Sequence, residues 1–235
     1  MLVIGHRGAK GLEHENTLAA IQAGVEAGSL IIEFDVRLTK DGVPVIIHDR
    51  TLTRTHSLPA KIDSLTHAQL QKLTANKTPI PTLKEVLDKY WGVVFLNIEI
   101  KGRRVGTRVT EFIKSNYIKT PEDWENCFIS SFHIRELRRI RKVSEDAKIG
   151  LIHNRNPFAF IACTRQLNLS AVGFHRLYAN PLAIEIAKKT SLFTYAYTVN
   201  RPKGALLLAS SNVDAVVTDY PDKIHLALEK NNLLS

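Results

Sequence analysis

The sequence predicts an α/β fold, a (β/α)8 barrel formed by one domain, from three observations. Short apolar runs rich in Val and Ile alternate with segments whose apolar residues recur at helical spacing. Nearly continuous apolar strands separated by helices are typical of a parallel sheet covered by helices. The length, 235 residues, suits a single barrel. We therefore expect one domain over residues 1–235, with a small insertion at about 50–80.

Nine apolar runs are strand candidates, one more than the barrel needs. The second and third are separated by little more than RLTKDG, residues 37–42, in which Asp41-Gly42 is a hairpin turn signal. A parallel crossover needs a dozen or more residues, so we expect the third run to return as an extra hairpin strand outside the barrel. The candidates are 2–6, 30–36, 44–49, 93–100, 127–132, 148–152, 171–175, 192–199 and 214–218.

Helical patterns lie between most of these runs. Thr82 with Glu85 three residues later forms a capping-box signature at the start of one helix. Within the insertion, residues 61–73 predict a short helix that Ser64 or Thr66 would cap. The other helical segments are 16–28, 130–143, 181–190 and 201–211.

The composition limits the classes of partner. A net charge of +9 favours anionic partners, and we expect it to be spread evenly over the surface rather than gathered into an anion funnel. The sequence contains no basic stripe interleaved with aromatic residues, the pattern that would indicate nucleic-acid binding. No apolar stretch in it reaches the length of a membrane span. Cys127 and Cys163 lie in apolar surroundings typical of buried, inert thiols. We expect a cytoplasmic monomer or homodimer that acts on a small molecule, without stable membrane association.

Three carboxylates and a lysine lie on two neighbouring predicted strands. Glu33 and Asp35 are two residues apart, as are Glu99 and Lys101, so each pair points to one face of its strand. Barrel active sites form at the carboxyl ends of the strands. Three carboxylates there would raise one another's pKa unless a cation neutralised them. Hard oxygen ligands suit Mg²⁺ or Ca²⁺, and the sequence therefore predicts a divalent metal site.

Two histidines are expected beside this site. His6 ends the first strand and His48 ends the returning hairpin strand. Their ordinary pKa suits an acid–base pair near neutral pH. Arg7 and Lys101 supply positive charge for a phosphodiester. A metal, two cations and two histidines together meet the needs of phosphoryl transfer.

Several motifs occur in order along the chain: GHRG followed by ENT, EFDVRLTKDGVPVIIHD, NIEIK, YTVN and DAVVTDYP. Together they resemble the glycerophosphodiester phosphodiesterase family. The resemblance implies a TIM barrel that hydrolyses glycerophosphodiesters, such as glycerophosphocholine or glycerophosphoethanolamine, to sn-glycerol 3-phosphate and an alcohol. It implies metal ligands at Glu33, Asp35 and Glu99, an acid–base pair at His6 and His48, and phosphate binding by Arg7 and Lys101.

The resemblance also implies further pocket positions. Glu15 and Asn16 match the family's Glu-Asn pair, although Asn16 could equally cap the following helix. Asp49 follows His48 in the hairpin motif. Tyr197 stands where the family usually has Trp, which keeps a smaller aromatic wall. His14 replaces the proline that usually precedes this Glu-Asn pair, so the loop is expected to be less rigid.

For three more strand-end residues, the sequence allows either a structural role or a contact with substrate. For His175 and Tyr178, packing is the expected role, with pocket lining as the alternative. For Asp219, capping a helix or making a structural hydrogen bond is expected at least as much as a contact with substrate.

Two other functions remain open at this point. A related phospholipase or sphingomyelinase-D-like lyase would use two histidines but stop at a cyclic phosphate. A non-catalytic module that binds phosphate or nucleic acid has only the net charge in its favour.

Overall fold

The computed structural model describes residues 1–153 and 155–234 and confirms the predicted (β/α)8 barrel. The strands, including an extra strand β3, are β1 Leu2–Gly5, β2 Ile31–Leu38, β3 Pro44–Ile46, β4 Phe95–Ile100, β5 Cys127–Ser131, β6 Ile149–His153, β7 Ala171–His175, β8 Phe193–Tyr197 and β9 Ala215–Thr218. The eight barrel strands are parallel and pair in the order β1, β2, β4, β5, β6, β7, β8, β9, and β9 closes the ring on β1.

The predicted hairpin leaves the barrel as expected. β3 runs antiparallel to β2, with Val36 opposite Ile46 and Leu38 opposite Pro44. Gly42 in the connecting turn has a φ of 79°, a backbone conformation that glycine adopts without steric cost. This geometry brings the chain back to the mouth of the barrel just before His48.

Helices surround the barrel, and the predicted caps are present. Thr82 and Glu85 form the capping box, and Thr66 rather than Ser64 caps the insertion helix, in a second capping box with Gln69. The helices at 53–56, 105–116, 161–167 and 221–229 are absent from the sequence prediction. The α-helices are α1 Leu18–Glu26, α2 Thr53–His56, α3 His67–Thr74, α4 Leu83–Tyr90, α5 Val105–Asn116, α6 Ile134–Val143, α7 Ile161–Leu167, α8 Pro181–Lys189, α9 Pro202–Ser210 and α10 Pro221–Glu229.

The apolar side chains form separate clusters. The largest lies between the strands and the surrounding helices, and a smaller one fills the barrel interior. The segment between β3 and α4 has its own small core, in which Leu52, Ile62 and Leu70 pack on Val45 and Ile47. That core fixes α2 and the 3-10 helix Ile62–Ser64 beside the barrel mouth.

The two cysteines are free and buried, as expected. Over the part of the chain that the structure describes, no helix is long and apolar enough to span a bilayer.

Candidate active site

Glu33, Asp35 and Glu99 form a buried cluster at the carboxyl ends of β2 and β4. The strand register pairs Asp35 with Glu99, and alternation along β2 places Glu33 on the same inner face. One oxygen from each carboxylate lies within 4.8 Å of the others. The sequence spacing thus brings all three predicted ligands together.

The three carboxyl groups respond differently to this burial. Burial and the neighbouring charge of Asp35 raise the pKa of Glu33 well above its usual range. Burial likewise raises the pKa of Glu99 to about 7, even though Lys101 opposes the change. Burial would also raise the pKa of Asp35, but the charges of Lys101 and Arg7 outweigh it and lower that pKa to about 2. The cluster therefore gains from additional positive charge.

A divalent cation fits this donor set. Oε1 of Glu33 is buried and accepts no hydrogen bond within the described residues. A buried carboxylate oxygen without a partner is costly, and a bound cation would satisfy it. The three groups offer only oxygen ligands, which suit Mg²⁺ or Ca²⁺.

Arg7 is held over the acidic cluster by a strained turn after β1. Its φ is 54°, in the left-handed region, and its backbone N–H donates to Oε2 of Glu33 at 2.7 Å. The turn is tight, since a Cβ at Gly5 would lie 2.2 Å from the carbonyl oxygen of Gly8. The Arg7 guanidinium lies 3.4 Å from Asp35 and donates to Glu15 at 2.8 Å.

Lys101 provides the second cation. Its Nζ lies 3.2 Å from Oδ1 of Asp35 and also pairs with Glu99. Burial would lower the pKa of Lys101, but Asp35 and Glu99 outweigh it and raise that pKa, so the ammonium stays charged. Both cations predicted to bind phosphate therefore border the carboxylate cluster.

His6 is oriented by a carboxylate from the last strand. Nδ1 of His6 lies 2.5 Å from Oδ1 of Asp219, and the other carboxylate oxygen, Oδ2, accepts a hydrogen bond from Nδ2 of Asn200 at 2.7 Å. The other ring nitrogen, Nε2, faces the cluster and lies 3.9 Å from Glu33. Burial lowers the pKa of His6, although Asp219 opposes it. The structural hydrogen bond expected for Asp219 is therefore made with His6, a predicted catalytic histidine.

His48 has the same arrangement from the opposite side. Its Nδ1 lies 2.7 Å from Oδ1 of Asp49, and its carbonyl oxygen accepts from Nε of Arg37 at 2.6 Å. Burial lowers the pKa of His48, with Asp35 opposing the change. A carboxylate at Nδ1 fixes the ring orientation and leaves Nε2 for proton transfer.

Arg54 is a site residue that the sequence prediction missed. From α2 it donates two hydrogen bonds to Glu15, at 2.8 and 2.6 Å, and one to Asp49 at 2.6 Å. These contacts link the residue that holds Arg7 to the residue that holds His48. The charges of Arg54 and Arg7 lower the pKa of Glu15 to about 2, against the effect of burial. No local pattern in the sequence specifies this role, because Glu15 lies 39 positions from Arg54.

Asn16 supports Asp35 and does not cap α1. Its Nδ2 donates to Oδ2 of Asp35 at 2.9 Å, and its Oδ1 accepts from the Asp35 backbone N–H at 3.1 Å. Thr17 caps the helix by accepting from the backbone N–H of Ala20. His14, the departure from the family pattern, lies outside the cluster, with its ring 6.1 Å from that of His56.

The strand ends on the other side of the mouth carry aromatic rings. Tyr197 makes edge contacts with Phe132 and His175, at ring distances of 5.8 and 5.7 Å. Its hydroxyl donates to the carbonyl oxygen of His153 at 2.5 Å. Tyr178 lies at the surface, where its ring contacts that of His175 at a centroid distance of 5.7 Å. Tyr197 thus lies among aromatic rings at the barrel mouth, and its role as the wall of the pocket stays a prediction.

Comparison with known proteins gives a consistent result. The pattern of the glycerophosphoryl diester phosphodiesterase family matches residues 6–223. A glycerophosphodiester phosphodiesterase of Caldanaerobacter subterraneus is 33% identical over 240 residues, which cover 95% of this chain and 96% of that protein.

Solved structures agree in fold over nearly the whole chain. An Oleispira antarctica phosphodiesterase in complex with the product sn-glycerol-3-phosphate superposes with a TM-score of 0.85, at 28% identity over 97% of both chains. The glycerophosphodiester phosphodiesterase of Thermotoga maritima gives 0.82 at 29% identity, over 96% of this chain and 97% of that one. The chain belongs to the glycerophosphoryl diester phosphodiesterase family and is an enzyme of that class.

Proposed function

We propose that the protein hydrolyses glycerophosphodiesters, such as glycerophosphocholine or glycerophosphoethanolamine, to sn-glycerol 3-phosphate and an alcohol. The observation that carries this proposal is the buried cluster of Glu33, Asp35 and Glu99, flanked by two histidines that each have a carboxylate at Nδ1. The product bound to the Oleispira antarctica phosphodiesterase supports the same reaction here. In this proposal the whole chain forms one catalytic domain.

Glu33, Asp35 and Glu99 would hold Mg²⁺ or Ca²⁺, supported by the unpartnered Oε1 of Glu33 and the all-oxygen donor set. When bound, the ion would neutralise charge on the phosphoryl oxygens. Arg7 would bind the phosphate through its planar guanidinium and Lys101 through a point charge. Asn16 and Glu15 would keep Asp35 and Arg7 in position.

His6 and His48 would move the protons. Burial lowers the pKa of both rings, which favours the neutral form that the general base requires. The histidine that acts as the acid must carry its proton, a form that the carboxylate at its Nδ1 stabilises. One histidine would take the proton from the glycerol 2-hydroxyl as that oxygen bonds to phosphorus. The other would donate a proton to the alcohol oxygen as its bond to phosphorus breaks. Water would then open the resulting cyclic phosphate with the two roles exchanged.

We further propose that the enzyme works in the cytoplasm on this small-molecule diester, as a monomer or a homodimer. Both cysteines are free and buried, which suits a reducing compartment. Tyr197, Phe132 and His175 would form the wall against the alcohol or glycerol part of the substrate.

The test is an assay across several glycerophosphodiesters, with glycerol 3-phosphate measured directly. Metal-free protein should be inactive and should release glycerol 3-phosphate once Mg²⁺ or Ca²⁺ is added. Release of no glycerol 3-phosphate with any divalent ion would overturn the proposal. A stable cyclic phosphate as the sole product would instead identify a lyase.

A further inference from the structure

The positive charge of the chain is not spread evenly, contrary to the expectation from composition. Residues 151–213 contain seven Lys or Arg and a single carboxylate, Glu185, which is a net +6 of the chain's +9. Glu185 itself pairs with Lys189 at 2.7 Å. This segment runs from β6 to the end of α9, so the excess charge belongs to one side of the barrel.

Four of these cations lie at the mouth end of that side. Arg155, Arg176 and Arg201 are exposed in the loops that follow β6, β7 and β8, and Lys203 is exposed in the first turn of α9. The sequences of these loops, 153–161, 175–182 and 197–203, contain no Asp or Glu.

Large apolar side chains are exposed in the same loops. Leu177 is 72% exposed and Leu182 is 56% exposed, while Ile161 and Tyr178 are 48% and 45% exposed. All four lie just after a strand's carboxyl end or in the first turn of the next helix. We call the four cations and these four apolar residues the β6–β8 rim.

Hydrogen bonds connect two of the loops that form the rim. Arg176 donates from its backbone N–H to the carbonyl oxygen of Tyr197, and from Nη1 to the carbonyl oxygen of Thr198 at 3.1 Å. The loops after β7 and β8 are therefore joined into one surface. Exposed apolar side chains beside side chains of a single charge sign are typical of an interaction surface.

We propose that the β6–β8 rim docks the barrel mouth reversibly on an anionic lipid surface. Arg and Lys are attracted to anionic headgroups, and aliphatic side chains gain by entering the region where headgroups meet acyl chains. Nucleic acid would use the cations but would gain little from Leu177, Leu182 and Ile161, since single strands bind by stacking on aromatic rings. Docking in this orientation would hold the barrel mouth, where the proposed function places the active site, against the lipid surface.

The test is cosedimentation with vesicles, which needs no turnover. We compare phosphatidylcholine vesicles with vesicles that also contain phosphatidylglycerol, at low and at high salt. The protein should bind the anionic vesicles at low salt and lose most of that binding at high salt, because exposed charges are screened.

Two matched pairs of variants locate the surface. Leu177→Ser combined with Leu182→Ser should lower the partition coefficient about tenfold or more, whereas Leu207→Ser, at a 70% exposed leucine in the second half of α9, should not. Arg155→Gln or Arg176→Gln should each lower it about fivefold, and Arg165→Gln, in the last turn of α7, should have little effect.

Equal binding to both kinds of vesicle, or no binding to either, would overturn the proposal. Equal losses in Leu177→Ser/Leu182→Ser and Leu207→Ser would overturn it as well. So would binding to a single-stranded oligonucleotide tighter than to the anionic vesicles. Hydrolysis of water-soluble glycerophosphocholine by the same samples separates this result from the proposed function, since rim variants should retain that turnover.

Discussion

The two halves of the barrel mouth differ in the side chains that their strand ends carry. From β9 through β1 and β2 to β4, the mouth contains the buried carboxylates, both histidines with their partner acids, and the Arg7 and Lys101 cations. From β5 to β8 it contains aromatic rings and a basic, partly apolar rim. The loops after β6, β7 and β8 have no carboxylate.

The proposed reaction chemistry and the proposed lipid docking therefore belong to different strands of the barrel. The acidic half is a network in which each charged group is held by another, so a change at one position propagates. The β5–β8 half is joined mainly by ring contacts and backbone hydrogen bonds, so its substitutions should affect binding more than rate.

The largest effect is expected from the histidines of the acidic half. His6→Gln or His48→Gln removes a proton-transfer group and should lower kcat about 10²–10⁴-fold. Divalent-ion binding, measured by calorimetry, should persist because the carboxylates remain. His67→Gln, at the start of α3, is the matched control. Turnover by both site variants within threefold of the parent enzyme would disprove the assignment.

Arg54→Gln is expected to lower kcat by about 10–100-fold, the usual effect of losing a residue that holds the groups around a metal site in position. The change releases both Glu15 and Asp49, and through them Arg7 and His48. Arg54→Lys should recover only part of the loss, since it cannot form the forked contact. The pH profile of kcat should also shift, because His48 loses its fixed partner.

The control for Arg54 is Arg50→Gln, which removes an exposed ion pair with Asp63 in the same segment. It should leave kcat unchanged. Equal losses in the Arg54 and Arg50 variants would show that the segment matters only for folding.

Metal affinity should depend on pH in a defined direction. The pKa of Glu99 is about 7 without metal, and binding requires the ionised carboxylate. Below that pH Glu99 must lose a proton to bind the ion, and Glu33, whose pKa is also raised, adds to the protons released, so apparent affinity should fall at least about tenfold for each pH unit. Calorimetry in two buffers of different ionisation enthalpy measures the released proton directly. The same affinity at pH 8 and pH 6 would contradict this description of the cluster.

The smallest effect is expected in the aromatic half. Tyr197→Phe keeps the ring but removes the hydroxyl that donates to the His153 carbonyl. It should raise KM about fivefold, which corresponds to the free energy of one hydrogen bond, with kcat nearly unchanged. Tyr117→Phe, which removes a hydroxyl contact to Asp88 outside the mouth, is the control. A kcat loss as large as that of the histidine variants would remove the distinction between the halves.

Much of the fold is predictable because local patterns agree with the tertiary structure. The period-two spacing of Glu33, Asp35, Glu99 and Lys101 determines which face each side chain occupies, and Asp41-Gly42 determines where the hairpin turns. The Thr82 capping box is equally local.

The parts that the sequence did not predict depend on contacts between distant segments. Arg54 reaches Glu15 across 39 positions and Asp219 reaches His6 across 213, which no local pattern specifies. Asn16 shows the same limit, because a cap and a tertiary partner require the same residue type. The helices α5 and α10 are amphipathic, but their patterns lack strong capping signals.

The most direct test of the acidic half is a crystal structure with Ca²⁺ and glycerol 3-phosphate bound. Oxygens of Glu33, Asp35 and Glu99 should lie about 2.3–2.6 Å from the ion, with the phosphate against Arg7 and Lys101. An ion bound elsewhere, with the three carboxylates still paired only with these cations, would contradict the account.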